Sequence, residues 1–214
     1  RLCSRLRKKP AFARSLQGLL KLNPDLVVEA ASQEAVRSYS RRVLECGASL
    51  LVLSCGALLD EKLFNDLQDA SRKKGVKLIV PSGAVGGLDA LRSASVGRLK
   101  SVVLTTTKPA KALGFKNLKK PKIVFEGSAK AAVVKFPRNA NVAAAVSLAG
   151  IGGRLTKVRL IADPGIKRNS HEVVVKGDFG HLHCIVENVV SSNPKTSLLA
   201  AFSAVEGVRD FGLS

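Results

Sequence analysis

The chain has 214 residues, 46% of them hydrophobic, which is enough to bury the core of one large or two modest domains. Its net charge is +19, from 35 basic and 16 acidic residues. Two runs contain no acid, residues 1–24 with seven basic residues and residues 108–122 with six lysines. No apolar run reaches the roughly 18 residues of a membrane span, and no signal peptide is predicted.

The basic runs are open to three interpretations. Such runs are most often solvated surface, but they also suit an anionic small ligand, phosphorylated or dicarboxylate, or a nucleic acid. Aromatic residues make up only 4% of the chain, which leaves few platforms for stacking bases, and no zinc-finger or RNA-recognition signature is present. The composition therefore disfavours a nucleic-acid partner.

The cysteines and the start of the chain bear on location and completeness. The sequence begins at Arg1 and contains no methionine, which suggests processing or a fragment. The cysteines are widely spaced, with no CxxC pair, and predict free thiols in a reducing cytoplasm and neither a metal site nor a disulfide framework. They are Cys3, Cys46, Cys55 and Cys184.

The first part of the chain alternates continuous apolar strands with amphipathic helices. This alternation indicates a parallel sheet covered on both faces, as in half of a doubly wound nucleotide-binding domain. Ser32 is predicted to cap the first helix, and Gly47 and Gly75 to end the two helices. The strands are predicted at 25–31, 49–54 and 76–81, and the helices at 32–46 and 60–74.

After Pro81 the pattern changes to an α+β arrangement. The glycine-rich segment 82–87 predicts a flexible hinge that opens a short helix, and Pro194 lies near the first turn of a final helix. We therefore predict a nucleotide-binding domain at 1–81, completed by the C-terminal helix 193–214, and a catalytic domain at 82–192. Strands are predicted at 98–107, 122–127, 157–163, 171–177 and 181–188, and helices at 88–94, 128–136, 141–150 and 193–208.

One apolar segment, 136–172, carries a polar set typical of a buried active site. Of the three histidines, His171 belongs to this set and follows a strand-like run, whereas His181 and His183 alternate along one strand and are predicted to lie on the surface. His171 is the candidate for titration near neutral pH, and the alternative is a half-buried histidine held by a hydrogen bond. The set is Arg138, Asn139, Asn141, Arg159, Asp163, Asn169 and His171.

Nine short motifs in order along the chain resemble the L-aspartate dehydrogenases. That resemblance implies NAD(P)-dependent oxidative deamination of L-aspartate to iminoaspartate, which hydrolyses to oxaloacetate and ammonia or feeds NAD biosynthesis. It also implies a homodimer or higher oligomer. The motifs are VVEAAS (27–32), VLSCGAL (52–58), PSGAVGGLDAL (81–91), FEGSA (125–129), FPRNANVAAAVSLAG (136–150), RLIADP (159–164), NSHE (169–172), GDFG (177–180) and NPKTS (193–197).

The resemblance implies roles for individual residues. His171 matches the catalytic histidine, a proton acceptor near the substrate amine or the attacking water. Ala84 and Asn141 match contacts to the nicotinamide cofactor; the alternatives are a plain hinge for the Ala84 loop and an ordinary helix N-cap for Asn141.

Two carboxylates of L-aspartate require fixed cations and amide donors. We nominate four residues, each of which could instead be surface: Arg138, Asn169, Lys195 and Thr196. The family commonly has an arginine where this chain has Thr107, followed by Lys108, and lysine lacks the planar fork of arginine.

The cofactor is expected to be NADP or NAD. Ser4 and Arg5, in a cluster without an acid, fall where the adenine ribose should lie and suggest NADP, although a basic surface explains the same pattern. No GxGxxG occurs in the chain, so the first β-α unit of the doubly wound domain is expected to be missing, and the truncated chain to bind cofactor poorly and be inactive. Alternatives are a dehydrogenase of another small amino or keto acid, or a catalytically dead basic binding protein.

Overall fold

The computed structural model describes residues 10–137, 140–189, 191 and 197–213. Its first sheet is parallel, in the order β1-β2-β3, and is preceded by the short helix α1 (Leu16–Leu20). Its strands are β1 (Leu26–Glu29), β2 (Ser49–Val52) and β3 (Leu78–Ile79), and helices α2 (Gln33–Glu45) and α3 (Glu61–Lys74) connect them.

Local signals fix the ends of these helices. The Ser32 hydroxyl accepts a hydrogen bond from the Ala35 N–H and caps α2, and the Asp60 carboxylate caps α3 in the same way. Gly47 and Gly75 follow the two helices with φ of 85° and 65°, a backbone region that glycine enters without the Cβ penalty. The helices predicted at 32–46 and 60–74 are therefore confirmed.

The second sheet is mixed and has the order β5-β6-β4-β7-β8. Only β4 and β6 pair in parallel; the other neighbours are antiparallel. The strands are β4 (Leu99–Pro109), β5 (Lys122–Ser128), β6 (Lys157–Asp163), β7 (Asn169–Gly177) and β8 (Gly180–Asn188). The helices are α4 (Leu88–Ala94), α5 (Ala129–Lys135), α6 (Asn141–Ala149), α7 (Gly152–Leu155) and α8 (Leu198–Leu213).

Most strands differ in extent from the prediction because cross-strand pairing decides where they end; β1 and β2, for example, are shorter than predicted. β4 continues to Pro109, since Lys108 and Pro109 pair with β6. β7 begins at Asn169, which pairs with Asn188, so His171 lies inside this strand and not after one. β3 is reduced to the Leu78–Ile79 pair beside β2.

One hydrophobic core joins the two sheets. It contains Leu50 of β2, Leu104 of β4 and the buried alanines of α6. The alanines of α6 let it approach both α5 and the 3-10 helix Cys55–Leu59, which follows β2. On the other face of β2, Leu51 contacts Gly207 of α8, so helices cover both faces of the parallel sheet. The predicted Rossmann-like α/β sheet with an α+β unit is confirmed.

Among the described helices, none has the length and apolar character needed to cross a membrane.

Candidate active site

His171 lies on the face of the second sheet that is covered by helices. It is only 5% exposed and pairs across the strands with Thr106 of β4. Its Nδ1 lies 3.0 Å from the Thr106 hydroxyl oxygen. In the tautomer whose Nδ1–H donates to Thr106, the Nε2 lone pair remains available to accept a proton. The Thr106 hydroxyl on the neighbouring strand thus fixes the orientation of the imidazole ring.

Two influences keep this imidazole neutral. Burial and, to a smaller extent, the positive charge of Lys108 together lower the pKa of His171 to about 4. Burial also lowers the pKa of the Lys108 ammonium. Side chains alternate along a strand, so Lys108 shares the face of Thr106 while Thr107 takes the other face. Lys108 therefore lies on the same face of the sheet as His171, whereas Thr107 lies on the opposite face.

Asn141 joins the start of α6 to the end of β2. It is the first residue of α6, whose N-cap is Ala140, so the ordinary N-cap interpretation of Asn141 is wrong. Its Oδ1 accepts a hydrogen bond of 3.2 Å from the Gly56 N–H, and its carbonyl accepts one from the Cys55 thiol. Burial raises the pKa of Cys55 to about 12, which keeps the thiol protonated and able to donate.

Glu29 joins the ends of β1 and β2. Its Oε1 accepts from the backbone N–H groups of Ala31 and Ser32 at 2.8 and 2.9 Å and from the Ser54 hydroxyl at 3.0 Å, and its Oε2 accepts from the Ser54 N–H at 2.9 Å. Sequence reasoning missed this residue. The available signal was a single carboxylate at the carboxyl end of an apolar strand.

The Ala84 loop, residues 82–87, is fixed from two sides. The Ala84 carbonyl accepts a hydrogen bond of 2.9 Å from the Asn188 side-chain amide of β8, and the Gly83 N–H donates to the Ser203 hydroxyl of α8 at 3.0 Å. Gly86 approaches β8 so closely that a Cβ there would lie 3.2 Å from the Cys184 sulfur. The loop is therefore packed in place, which a freely flexible hinge would not be.

Of the predicted substrate residues, the structure describes Asn169. It is the first residue of β7, shares the covered face with His171, and pairs directly with Asn188. The other nominated residues lie outside the described ranges and stay predictions. They are Ser4 and Arg5 for the cofactor and Arg138, Lys195 and Thr196 for the substrate.

A cavity of about 650 Å³ lies elsewhere, between α3, β3 and α6. Arg72 and Arg92 are among its lining residues, and none of the described site residues lines it. Arg72 already pairs with Asp69. The site above is therefore defined by its side chains and not by the size of a cavity.

Comparisons with known proteins place the chain in a family. Residues 89–211 match the family model described as aspartate dehydrogenase, C-terminal, and residues 3–81 match that of the homoserine dehydrogenase NAD binding domain. The L-aspartate dehydrogenase of Methanosarcina barkeri is 48% identical over 87% of this chain and 73% of its own length. The chain belongs to the aspartate dehydrogenase family.

Further relatives agree with this placement. The L-aspartate dehydrogenase of Methanothermobacter thermautotrophicus is 49% identical over 85% of this chain and 70% of its own length. The crystal structure of aspartate dehydrogenase from Thermotoga maritima superposes with a TM-score of 0.77 at 34% identity, covering 87% of this chain and 75% of that one. A hyperthermophilic archaeal homoserine dehydrogenase, at 10% identity and a TM-score of 0.60, shares the fold.

The described residues fit the nicotinamide end of NAD(P). Glu29, Gly56 and Ala84 all lie at or just beyond the carboxyl ends of parallel strands, where doubly wound sheets bind their ligands. Ala84 places only a methyl group in the loop, so a ring can approach the backbone. Nearby, the Oδ1 of Asn188 is buried and has no hydrogen-bond donor among the described residues. A ligand with a polar N–H suits these surroundings.

Proposed function

We propose that this protein catalyses the NAD(P)-dependent oxidation of L-aspartate to iminoaspartate, which hydrolyses to oxaloacetate and ammonia. Family membership supports the activity, and the observation that carries it is the buried, neutral His171 beside the Lys108 cation. Bound NAD or NADP supplies the hydride acceptor. The remaining steps require a base, anion-binding groups and a fixed geometry, which the side chains of this chain provide.

His171 acts as the base. Loss of hydride from the substrate Cα requires an uncharged amine, and the substrate carries an ammonium group near neutral pH. The Nε2 atom of His171 accepts the proton that this group releases, while Nδ1 stays bound to Thr106. Once this proton has passed to solvent, the same nitrogen can take a proton from the water that attacks the imine.

Lys108 and Asn169 bind the substrate carboxylates. Both residues share the face of the sheet with His171, and a cation with an amide donor suits a carboxylate. Arg138, Lys195 and Thr196 are proposed to complete this set. A bound dianion would also offset the charge of Lys108 and raise the pKa of His171, so the base gains proton affinity when substrate is present.

Ala84 and Asn141 are proposed to contact the nicotinamide, and Ser4 and Arg5 the adenine ribose, with a preference for NADP. The division into a nucleotide-binding domain at 1–81 with 193–214 and a catalytic domain at 82–192 remains our proposal. The contact between Leu51 of β2 and Gly207 of α8 supports it.

We also propose a homodimer or higher oligomer in the cytoplasm; the unpaired thiols of Cys46, Cys55 and Cys184 support the location. The product is proposed to feed NAD biosynthesis.

The test is reductive amination of oxaloacetate by the full-length protein with ammonia and either NADH or NADPH. Replacing His171 with alanine should lower kcat about 100-fold or more, because a positioned base contributes that much. The matched control is His183→Ala, since His183 lies exposed on the other face of the sheet, bound to Glu172. It should retain wild-type activity.

Three results would count against the proposal. Equal losses of kcat in His171→Ala and His183→Ala would show that His171 is not the base. Faster turnover of another small keto acid would favour a related dehydrogenase. No turnover of any such acid would favour a binding protein.

A further inference from the structure

Asn188 is a buried amide at the end of β8 whose orientation is fixed by its neighbours. It is 2% exposed. Its Nδ2 donates to the Ala84 carbonyl at 2.9 Å and lies 3.5 Å from the Val186 carbonyl. Both neighbours are acceptors, so this end of the amide must be the NH2 group. The oxygen therefore occupies the other position.

The oxygen has no partner. Within the described part of the chain, no donor lies within hydrogen-bond distance of the Asn188 Oδ1, although the atom is shielded from solvent. Buried side-chain acceptors are nearly always satisfied, because leaving one unpaired is unfavourable. An apolar residue of the same size would avoid this penalty, so the amide oxygen marks a position for a donor, which a water or a bound molecule can supply.

Its surroundings indicate which molecule. Asn188 holds the Ala84 loop at the carboxyl end of β3, and across the strands it faces Asn169. Its neighbour two residues back, Val186, pairs with His171. The unpaired oxygen thus belongs to a residue that links the proposed cofactor loop to the strand bearing the proposed base.

We propose that the Asn188 Oδ1 binds an N–H group of a bound reactant, from either the carboxamide of the nicotinamide or the amino group of the substrate. Both sources present the same chemistry, a nitrogen donor beside the reacting centre. The proposal rests on the proposed function for the identity of the reactants. The proposal adds Asn188 as a residue that accepts a hydrogen bond from a nitrogen of the cofactor or of the substrate.

Binding measurements on the full-length protein distinguish the two sources. In the cofactor arm, NAD(P) is compared with its 3-acetylpyridine analogue, which replaces the carboxamide NH2 with a methyl group. In the substrate arm, L-aspartate is compared with succinate, which lacks the amino group. We expect wild type to bind the analogue about tenfold more weakly in one arm, as calorimetry or nucleotide fluorescence would record.

Asn188→Leu should bring that affinity ratio close to one, because the acceptor is gone. Asn188→Ala also removes the acceptor and should bring the ratio close to one, and it serves if the leucine variant does not fold. The matched control is Ser203→Ala, which removes the other bond to the same loop, from Ser203 to Gly83, and leaves the acceptor in place. This control should weaken both ligands of a pair equally and preserve the ratio.

Two outcomes overturn the proposal. A wild-type ratio near one in both arms would do so without any variant. A folded Asn188→Leu protein with the wild-type ratio would reduce Asn188 to a support for the loop. Failure of the proposed function is separate, because it would show as a lack of turnover with oxaloacetate and ammonia.

Discussion

His171 is kept neutral by burial first and by the Lys108 charge second. These causes differ in what can change them. Burial is a fixed property of the fold, whereas the effect of a cation disappears when its charge is removed or compensated. The proton affinity of the proposed base is therefore adjustable through Lys108. A substitution at Lys108 tests the contribution of charge to the pKa of His171 without changing the contribution of burial.

Replacing Lys108 with methionine should raise the pKa of His171. The pKa now lies at about 4 and should move upward but stay below 6.5, because burial remains. The acidic limb of the pH profile of kcat/KM, which reports groups of the free enzyme, should shift to higher pH. KM for L-aspartate should rise as well, since a cation for its carboxylates is lost.

Lys108→Arg is the matched control for that experiment because it keeps the charge. Its acidic limb should stay at the wild-type pH. Identical limbs in the methionine and arginine variants would show that Lys108 does not set the proton affinity of His171.

Sequence reasoning placed some site residues and missed others for a physical reason. His171 could be nominated because histidine is rare in this chain and stands in a polar set within an apolar segment. Asn188 and Glu29 belong to common residue types and to no such polar set in the sequence. Their importance lies in partners distant in sequence, Ala84 for Asn188 and Ser54 for Glu29, and only the folded chain brings these groups together.

At the element scale, the parallel sheet depends on a carboxylate between two strand ends. Replacing Glu29 with glutamine turns one of its two acceptor oxygens into an NH2 group, which faces backbone N–H groups and cannot accept from them. We expect the free energy of unfolding to fall by about 1–3 kcal/mol. Urea denaturation followed by circular dichroism would measure the change.

Glu34→Gln serves as the comparison for Glu29, because Glu34 is exposed on α2 and, among the described residues, its side chain accepts from the nearby Ser38 hydroxyl. Its effect should stay within about 0.5 kcal/mol. Equal effects of the two substitutions would mean that the Glu29 hydrogen bonds add no stability beyond that of an exposed contact.

Helices were easier to predict than strand ends. The caps Ser32 and Asp60 and the terminal Gly75 act within a few residues of the helix ends they set, so a local window contains the whole signal. The limits of β4 and β7 are set by pairing with β6 and β8, which no local window contains. The order of the second sheet, with β4 at its centre, depends on the same long-range pairing.

For the molecule as a whole, the neutral His171 predicts sensitivity to acid. Its pKa is about 4 when folded and 6.5 in the unfolded reference, so below pH 6.5 the unfolded chain binds a proton that the folded chain does not. Stability should therefore fall as the pH drops from 6.5 through 4. The loss from this residue is roughly 3 kcal/mol, since each pKa unit corresponds to about 1.4 kcal/mol.

Urea unfolding at pH 7 and pH 4.5 would measure this loss. His171→Gln should lose less stability than wild type between the two pH values, because the group that titrates is absent. Replacing the exposed His181 with glutamine should leave the wild-type dependence unchanged. Identical acid sensitivity in wild type and His171→Gln would place its origin in other groups.

The position of α6 has a consequence for how reactants enter the site. This helix contributes side chains to the core that joins the two sheets, and its Ala144 and Val146 are fully shielded from solvent. Rotating one sheet away from the other would break these contacts and expose the shared hydrophobic core to water. Such exposure of apolar side chains carries a free-energy cost, so a large separation of the sheets is an unfavourable route for reactants to enter the site.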